Sequence, residues 1–157
     1  MLHQDGVEAA LLSLSGNIQT VGTKPDGTDW EIAIRDPFDT SKSIAMLSIT
    51  GDAAIVTSGS YERYFEEDGQ IYHHIMNPKT GRPADSGLVS VTIVADDGFL
   101  ADGLSTALFV MGLDDAISFW RASDDFEAVL IDSDGTIYVT EGLTDRITCE
   151  LYQVINR

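Results

Sequence analysis

Apolar and polar positions alternate along most of the chain, and the period becomes helical in one region. Residues 30–34 and Ser43–Ile49 alternate as half-buried strands do, stopped by Asp36-Pro37 and Thr50-Gly51-Asp52. Leu88–Ala95 (LVSVTIVA) is the clearest strand, with alternation around Val89, Val91 and Ile93. Residues 6–10 read as the tail of a helix, and residues 11–14 as a short buried strand ending in Ser15-Gly16-Asn17. Pro25 and Asp26-Gly27 predict a turn, and residues 53–56 predict a strand that feeds a Thr57-Ser58-Gly59 turn. Residues 61–65 and 70–75 flank Glu66-Glu67-Asp68-Gly69 as a β-hairpin. The second arm runs on to Asn77, which Pro78 holds extended, before Lys79-Thr80-Gly81 turns the chain. Residues 126–131 and 136–140 predict another hairpin, and residues 147–154 a last strand. At residues 99–111 the period becomes helical: Leu104, Leu108 and Met111 fall at i, i+4, i+7. A second short helix over residues 114–122 follows Gly112. Many antiparallel strands with two or three helices predict an α+β fold, and 157 residues without repeat or linker predict a single domain.

Charge narrows the partners. Nine Lys and Arg against 26 Asp and Glu leave a net charge of −17. Such a surface repels phosphate backbones and anionic headgroups, which argues against nucleic acid as a partner. A small anionic ligand would need a local exception to that field, such as a cation or a bound metal. Cys149 is the single cysteine, so no intramolecular disulfide and no CxxC pair forms. No apolar run approaches the roughly 20 residues that span a bilayer.

Several residue groups carry candidate chemistry, each with a plainer alternative. His73 and His74 stand just before the Asn77-Pro78 turn. A histidine at a strand end beside a tight turn is held by the scaffold and close to the surface, which suits a catalytic group. A sheet histidine satisfied by one hydrogen bond is the alternative. Asp102 and Thr106 sit at i, i+4 on the predicted helix, with Ser105 beside them. A carboxylate and a hydroxyl so placed supply two of the hard oxygen ligands that Mg²⁺ or Ca²⁺ takes. Otherwise Asp102 complements the helix N-terminus and Thr106 bonds back to the Asp102 carbonyl. Thr57-Ser58-Gly59 and Ser15-Gly16-Asn17 are glycine-bearing turns that can present N–H groups to a phosphate, and they are also ordinary ways to leave a strand. Asp132 to Gly135 lacks the closing glutamate of a calcium loop and reads as a hairpin turn.

The order of these segments is more specific than any one of them. SLSGNI, DWEIAIRDP, VTSGSYERYF, YHHIMNPKTGRP and SVTIVADDGFLADGLSTALFVMG, taken together, resemble the C-terminal half of the ApbE family. Members of that family are FAD-dependent FMN transferases, often anchored as lipoproteins. The resemblance spans about residues 7–142 and implies the C-terminal part of a T-fold-like α+β domain. It implies FAD as substrate, Mg²⁺ as cofactor and an acceptor flavoprotein whose threonine hydroxyl receives FMN while AMP leaves. It matches His74 to the family's base, and Asp102 and Thr106 to its metal ligands. Gly16, Asn17, Thr57, Ser58, Gly59 and Ile75 match the segments lining the nucleotide site. A cell-envelope location, through a lipoprotein leader, is what the family resemblance implies.

Asn77 stands where the family usually has Asp, and Ser15 where it has Gly. The family's N-terminal half has no counterpart here, which predicts a homo-oligomer or an N-terminal partner fragment. The alternatives to a transferase are a non-catalytic flavin-nucleotide binding module, or a partner-dependent fragment, and a Mg²⁺-dependent FAD pyrophosphatase.

Overall fold

The computed structural model describes residues 2–14 and 16–157. After a 3₁₀ turn at Leu2–Asp5 come strands β1 (Ala10–Leu14), β2 (Asn17–Val21), β3 (Trp30–Arg35), β4 (Ser43–Ile49) and β5 (Ala53–Gly59). Strands β6 (Tyr64–Glu67), β7 (Gln70–His73), β8 (Met76–Asn77), β9 (Arg82–Pro83) and β10 (Leu88–Ala95) lead into helices α1 (Gly98–Met111) and α2 (Leu113–Arg121). The chain closes with β11 (Phe126–Asp132), β12 (Ile137–Thr140), β13 (Ile147–Thr148) and β14 (Gln153–Ile155). The result is an α+β fold.

The strands form a seven-stranded sheet in the order β1-β2-β5-β10-β11-β12-β14 and a three-stranded sheet β13-β4-β3. All neighbours pair antiparallel except β12 and β14, which are parallel. Two cores lie on opposite faces of the large sheet. Ala54 and Val56 of β5 join Val91, Ile93, Leu108, Phe109 and Trp120 under the helices. Ala53 and Ile55 of the same strand join Ile32, Leu47, Ile49 and Val129 under the small sheet. The period-2 geometry of a strand makes this division. A central strand covered on both faces must be apolar on both, and β10 is buried almost throughout.

β10 therefore departs from the predicted one-sided alternation. A bulge between Leu88 and Ser90 adds to this, because Val89 packs with the small-sheet core while Val91 and Ile93 pack under the helices.

Other expectations are corrected. Residues 6–10 are not helical: Gly6 turns the chain at φ 82° and Ala10 already belongs to β1. β1 forms where expected but is an outer strand, with Leu11 and Leu14 41% and 68% exposed. β2 follows at once, where the sequence pattern places Asn17 at the end of a turn and gives residues 18–21 no element; the Ser15 part of that turn lies outside the described residues. Thr57-Ser58-Gly59 is strand, paired residue for residue with Thr92, Val91 and Ser90. The hairpin arms are shorter than predicted, β7 stopping at His73, and Asn77 belongs to a separate two-residue pairing of β8 with β9. The predicted last strand is two strands in different sheets. No helix among the described residues is long and apolar enough to cross a membrane.

Candidate functional site

Helix α1 builds one side of the site. Its start is fixed by Asp97, whose side chain accepts from the backbone N–H groups of Phe99 at 2.8 Å and Leu100 at 3.4 Å. Ala101, Ser105, Leu108 and Phe109 are its buried face. Of the predicted stripe, Leu108 is buried and Leu104 packs partly buried against the same core, while Met111 is 39% exposed. Asp102 and Thr106 stand on the exposed flank of this face, one turn apart, next to Asn17 of β2 and Ser58 of β5.

Hydrogen bonds tie that flank to the sheet. Asn17, first residue of β2, donates from Nδ2 to Asp102 Oδ1 at 2.9 Å. Ser58 Oγ lies 2.9 Å from Ser105 Oγ and 3.1 Å from Thr106 Oγ1. Ser105 Oγ is 3.0 Å from the Asp102 carbonyl, which can only accept. Each hydroxyl has one proton, so the directions follow. Ser105 donates to the carbonyl, Ser58 to Ser105, and Thr106 to Ser58. Thr106 thus gives away its proton inside the protein and keeps its lone pairs for another partner. An oxygen with free lone pairs one helical turn from an exposed carboxylate fits a hard divalent cation. Among the described residues no group of three or more His, Cys, Asp or Glu side chains converges, so water and ligand oxygens would complete the coordination.

Thr57 is not part of this flank. Its neighbour Ser58 faces α1, so strand alternation turns Thr57 to the other face, where its Oγ1 bonds Thr92 Oγ1 at 2.8 Å. Gly59 has a packing reason: a Cβ there would overlap the ring of Tyr61. Burial of that ring pushes the Tyr61 hydroxyl above its ordinary value. Gly16 takes φ 99° in the turn between β1 and β2, a backbone open to glycine.

The two histidines have different surroundings. His74 is exposed and lies in the bend after β7. Its backbone N–H and its Nδ1 reach the carbonyl of Arg63 at 3.1 and 3.3 Å. A carbonyl cannot donate, so Nδ1 carries a proton there, and in the neutral ring the free lone pair is on Nε2. His73 is held by the core. Its Nε2 donates to the Ala84 carbonyl at 3.0 Å, and its ring meets Phe109 edge-on at 5.6 Å. The sheet histidine held by one side-chain hydrogen bond is therefore His73, whose buried Nδ1 has no partner among the described residues. Ile75 is 3% exposed and packs in the core beneath the helices, and its carbonyl accepts from Ala84 N–H at 2.9 Å. His74 is thus presented between two anchored neighbours. Asn77 takes the role its position requires by accepting from Lys79 N–H at 2.9 Å, which closes the turn.

A cavity of about 790 Å³ opens beside this hairpin, lined in part by His73, Arg82, Ser86, Leu88 and Ser133. The structure joins Asn17, Ser58, Asp102 and Thr106 in one hydrogen-bonded set, while His74 belongs to the hairpin on the Arg63 side. The Asn17–Asp102 bond has no signal in the sequence, because it links positions 85 residues apart.

A sequence model described as the ApbE family matches residues 1–130, and the chain belongs to that family. The chain is 36% identical over 155 residues to the FAD:protein FMN transferase of Treponema pallidum, covering 94% of this chain and 43% of that protein. It is 40% identical over 131 residues to one from Klebsiella pneumoniae, covering 83% and 39%. Among solved structures, the ApbE protein of Thermotoga maritima superposes with a TM-score of 0.77 at 36% identity, covering 85% of this chain and 43% of its own. The flavin transferase ApbE of Vibrio cholerae gives 0.77 at 34%, covering 92% and 46%. The chain spans less than half the length of these relatives.

Proposed function

We propose that residues 1–157 act as one domain of an FAD:protein FMN transferase, using FAD as donor and a threonine of an acceptor flavoprotein as recipient. The observation that carries this is the oriented Asp102–Thr106 pair within a chain of the ApbE family. Asp102 and Thr106 would hold Mg²⁺, which supplies charge neutralisation at the pyrophosphate and offsets the repulsion of a chain with net charge −17. Phosphoryl transfer is otherwise a matter of positioning. His74 Nε2 takes the proton of the acceptor hydroxyl as its oxygen bonds to the FMN-side phosphorus. The bond from that phosphorus to the bridging oxygen breaks, and AMP leaves with that oxygen. The Arg63 carbonyl stays bonded to Nδ1–H and steadies the imidazolium that forms. Ser58, Gly59, Gly16, Asn17, Thr57 and Ile75 are the proposed nucleotide-site segments; burial gives Ile75 a supporting role, and the opposite-facing side chain does the same for Thr57.

Incubation with FAD, Mg²⁺ and a threonine-bearing acceptor, followed by weighing the acceptor, tests this. A mass gain of one FMN unit with release of AMP is expected, and Asp102→Ala should abolish it together with Mg²⁺-dependent FAD binding. Release of FMN and AMP with the acceptor unmodified would replace transfer by hydrolysis. FAD binding that ignores Mg²⁺ would remove the metal from the scheme.

A further inference from the structure

Asn17 makes a contact that a nucleotide ligand would not need. It opens β2 beside Val56 of β5, and its side chain reaches up to α1 instead of outward along the turn. Its donor nitrogen, Nδ2, sits 2.9 Å from Asp102 Oδ1. An amide is a neutral donor. It fixes one oxygen of the carboxylate without cancelling its charge, whereas a lysine or arginine there would compete with any cation. The ion pairs among the described residues lie elsewhere, at Lys42–Asp39, Arg157–Asp124 and Arg157–Glu141. Thr106 is held the same way, by a neutral hydroxyl chain that ends at Ser105 and the Asp102 carbonyl.

We infer that Asn17 is a positioning residue for Asp102: its amide holds one carboxylate oxygen and leaves the full charge and the second oxygen to a divalent cation. The inference rests on the assignment of the metal to Asp102 and Thr106. Outer partners of this kind tune affinity without touching the metal, and their loss typically costs about 10–100-fold. Asn17 would then belong to the segment beside the nucleotide site, with its side chain acting on FAD through the cation.

Mn²⁺ is a suitable probe, because it takes the same oxygen donors and its free form is read directly by paramagnetic resonance. The purified chain is titrated with Mn²⁺ in about 0.1 M salt, without FAD or acceptor, so that diffuse binding to the acidic surface is suppressed. Asp102→Ala should lose the strongest site, which checks the metal assignment itself. Asn17→Ala should weaken that site about 10–100-fold with unchanged stoichiometry. Asn17→Asp should restore or exceed wild-type affinity, because it adds a second carboxylate beside the first. Thermal melts of each variant confirm folding, and the gain expected from Asn17→Asp cannot come from a misfolded chain. Wild-type Mn²⁺ affinity in Asn17→Ala, alongside loss in Asp102→Ala, overturns the inference and keeps the metal site. Equal binding by wild type and Asp102→Ala overturns the metal assignment and the inference with it. A loss of FAD binding in Asn17→Ala at unchanged Mn²⁺ affinity makes Asn17 a nucleotide contact and also overturns it.

Discussion

At the scale of single residues, two adjacent histidines differ in what holds them. His73 bonds Ala84 and packs on Phe109, while His74 is exposed and bonds the Arg63 backbone. Replacing His74 by Asn should leave stability within about 0.5 kcal/mol and lower transfer about 10²–10⁴-fold. Replacing His73 by Asn should do the reverse. It leaves the Ala84 carbonyl without its donor and a gap at Phe109, for a loss of about 1–3 kcal/mol, with transfer by the folded fraction much less affected. Urea midpoints and transfer rates measured on both variants separate the two, and equal rate losses would sink the assignment of the base to His74. The choice of His74 came from the family resemblance around Ile75-x-Asn77-Pro78, and the residues alone favoured neither histidine as a base. The sequence did not reveal why, because strand alternation was extended through residue 75, whereas β7 ends at His73 and a bend presents His74. Asn17, Ser58, Asp102 and Thr106 were legible as individual candidates. Their bonds to one another were not, since each joins residues at least 47 apart or depends on the rotation of a helix.

At the scale of elements, local pattern was informative where one face of an element is exposed and poor where both are covered. β3 and β4 alternate, and their ends were legible to within a residue. β5 was cut short at Val56 because Thr57-Ser58-Gly59 has the composition of a turn. Pairing with β10 overrides that composition and keeps these three residues extended. In α1 the apolar stripe was read along Leu104, Leu108 and Met111, but small residues Ala101 and Ser105 face the sheet, where the helix sits close to β5 and β10. The true start signal is Asp97, not Asp102. Asp97→Ala should therefore cost about 1 kcal/mol, the usual value of an N-cap, and should weaken cation binding secondarily by loosening the turn that carries Asp102. Asp102→Ala removes an exposed carboxylate with no capping bond and should cost less than half of that in the absence of metal. Chemical denaturation of the two variants in chelator checks this order. A larger loss from Asp102→Ala would mean that its bond to Asn17 holds α1 on the sheet.

At the scale of the molecule, the α+β class and the helices α1 and α2 followed from local periodicity, but the strand order did not. Nothing local indicates that β13 leaves for the small sheet while β14 returns to pair parallel with β12. Both choices are made by the two cores, which need Ile147 on one side of the large sheet and Ile155 on the other. Charge is the other property of the whole. With 26 acidic and nine basic residues, most carboxylates have no basic partner to pair with. The ion pairs among the described residues that bind Lys42 and Arg157 are partly or largely exposed and contribute little. The folded state therefore concentrates repulsion that the unfolded chain relieves by expanding. Raising the salt from 0.01 M to about 0.15 M shortens the screening length from about 30 Å to about 8 Å, which reaches across fewer neighbouring carboxylates. NaCl over that range should therefore raise stability, and a gain of about 1 kcal/mol corresponds to about 2–4 °C in melting temperature for a chain of this size. A neutral osmolyte at equal osmolality should not reproduce the steep low-salt part of the curve. With about 0.1 M NaCl present to suppress diffuse binding, low Mg²⁺ should still stabilise the wild type, and Asp102→Ala should lose that further gain while keeping the NaCl response. A melting temperature that is flat or falling with NaCl would show that repulsion among the acidic side chains is not what limits this fold.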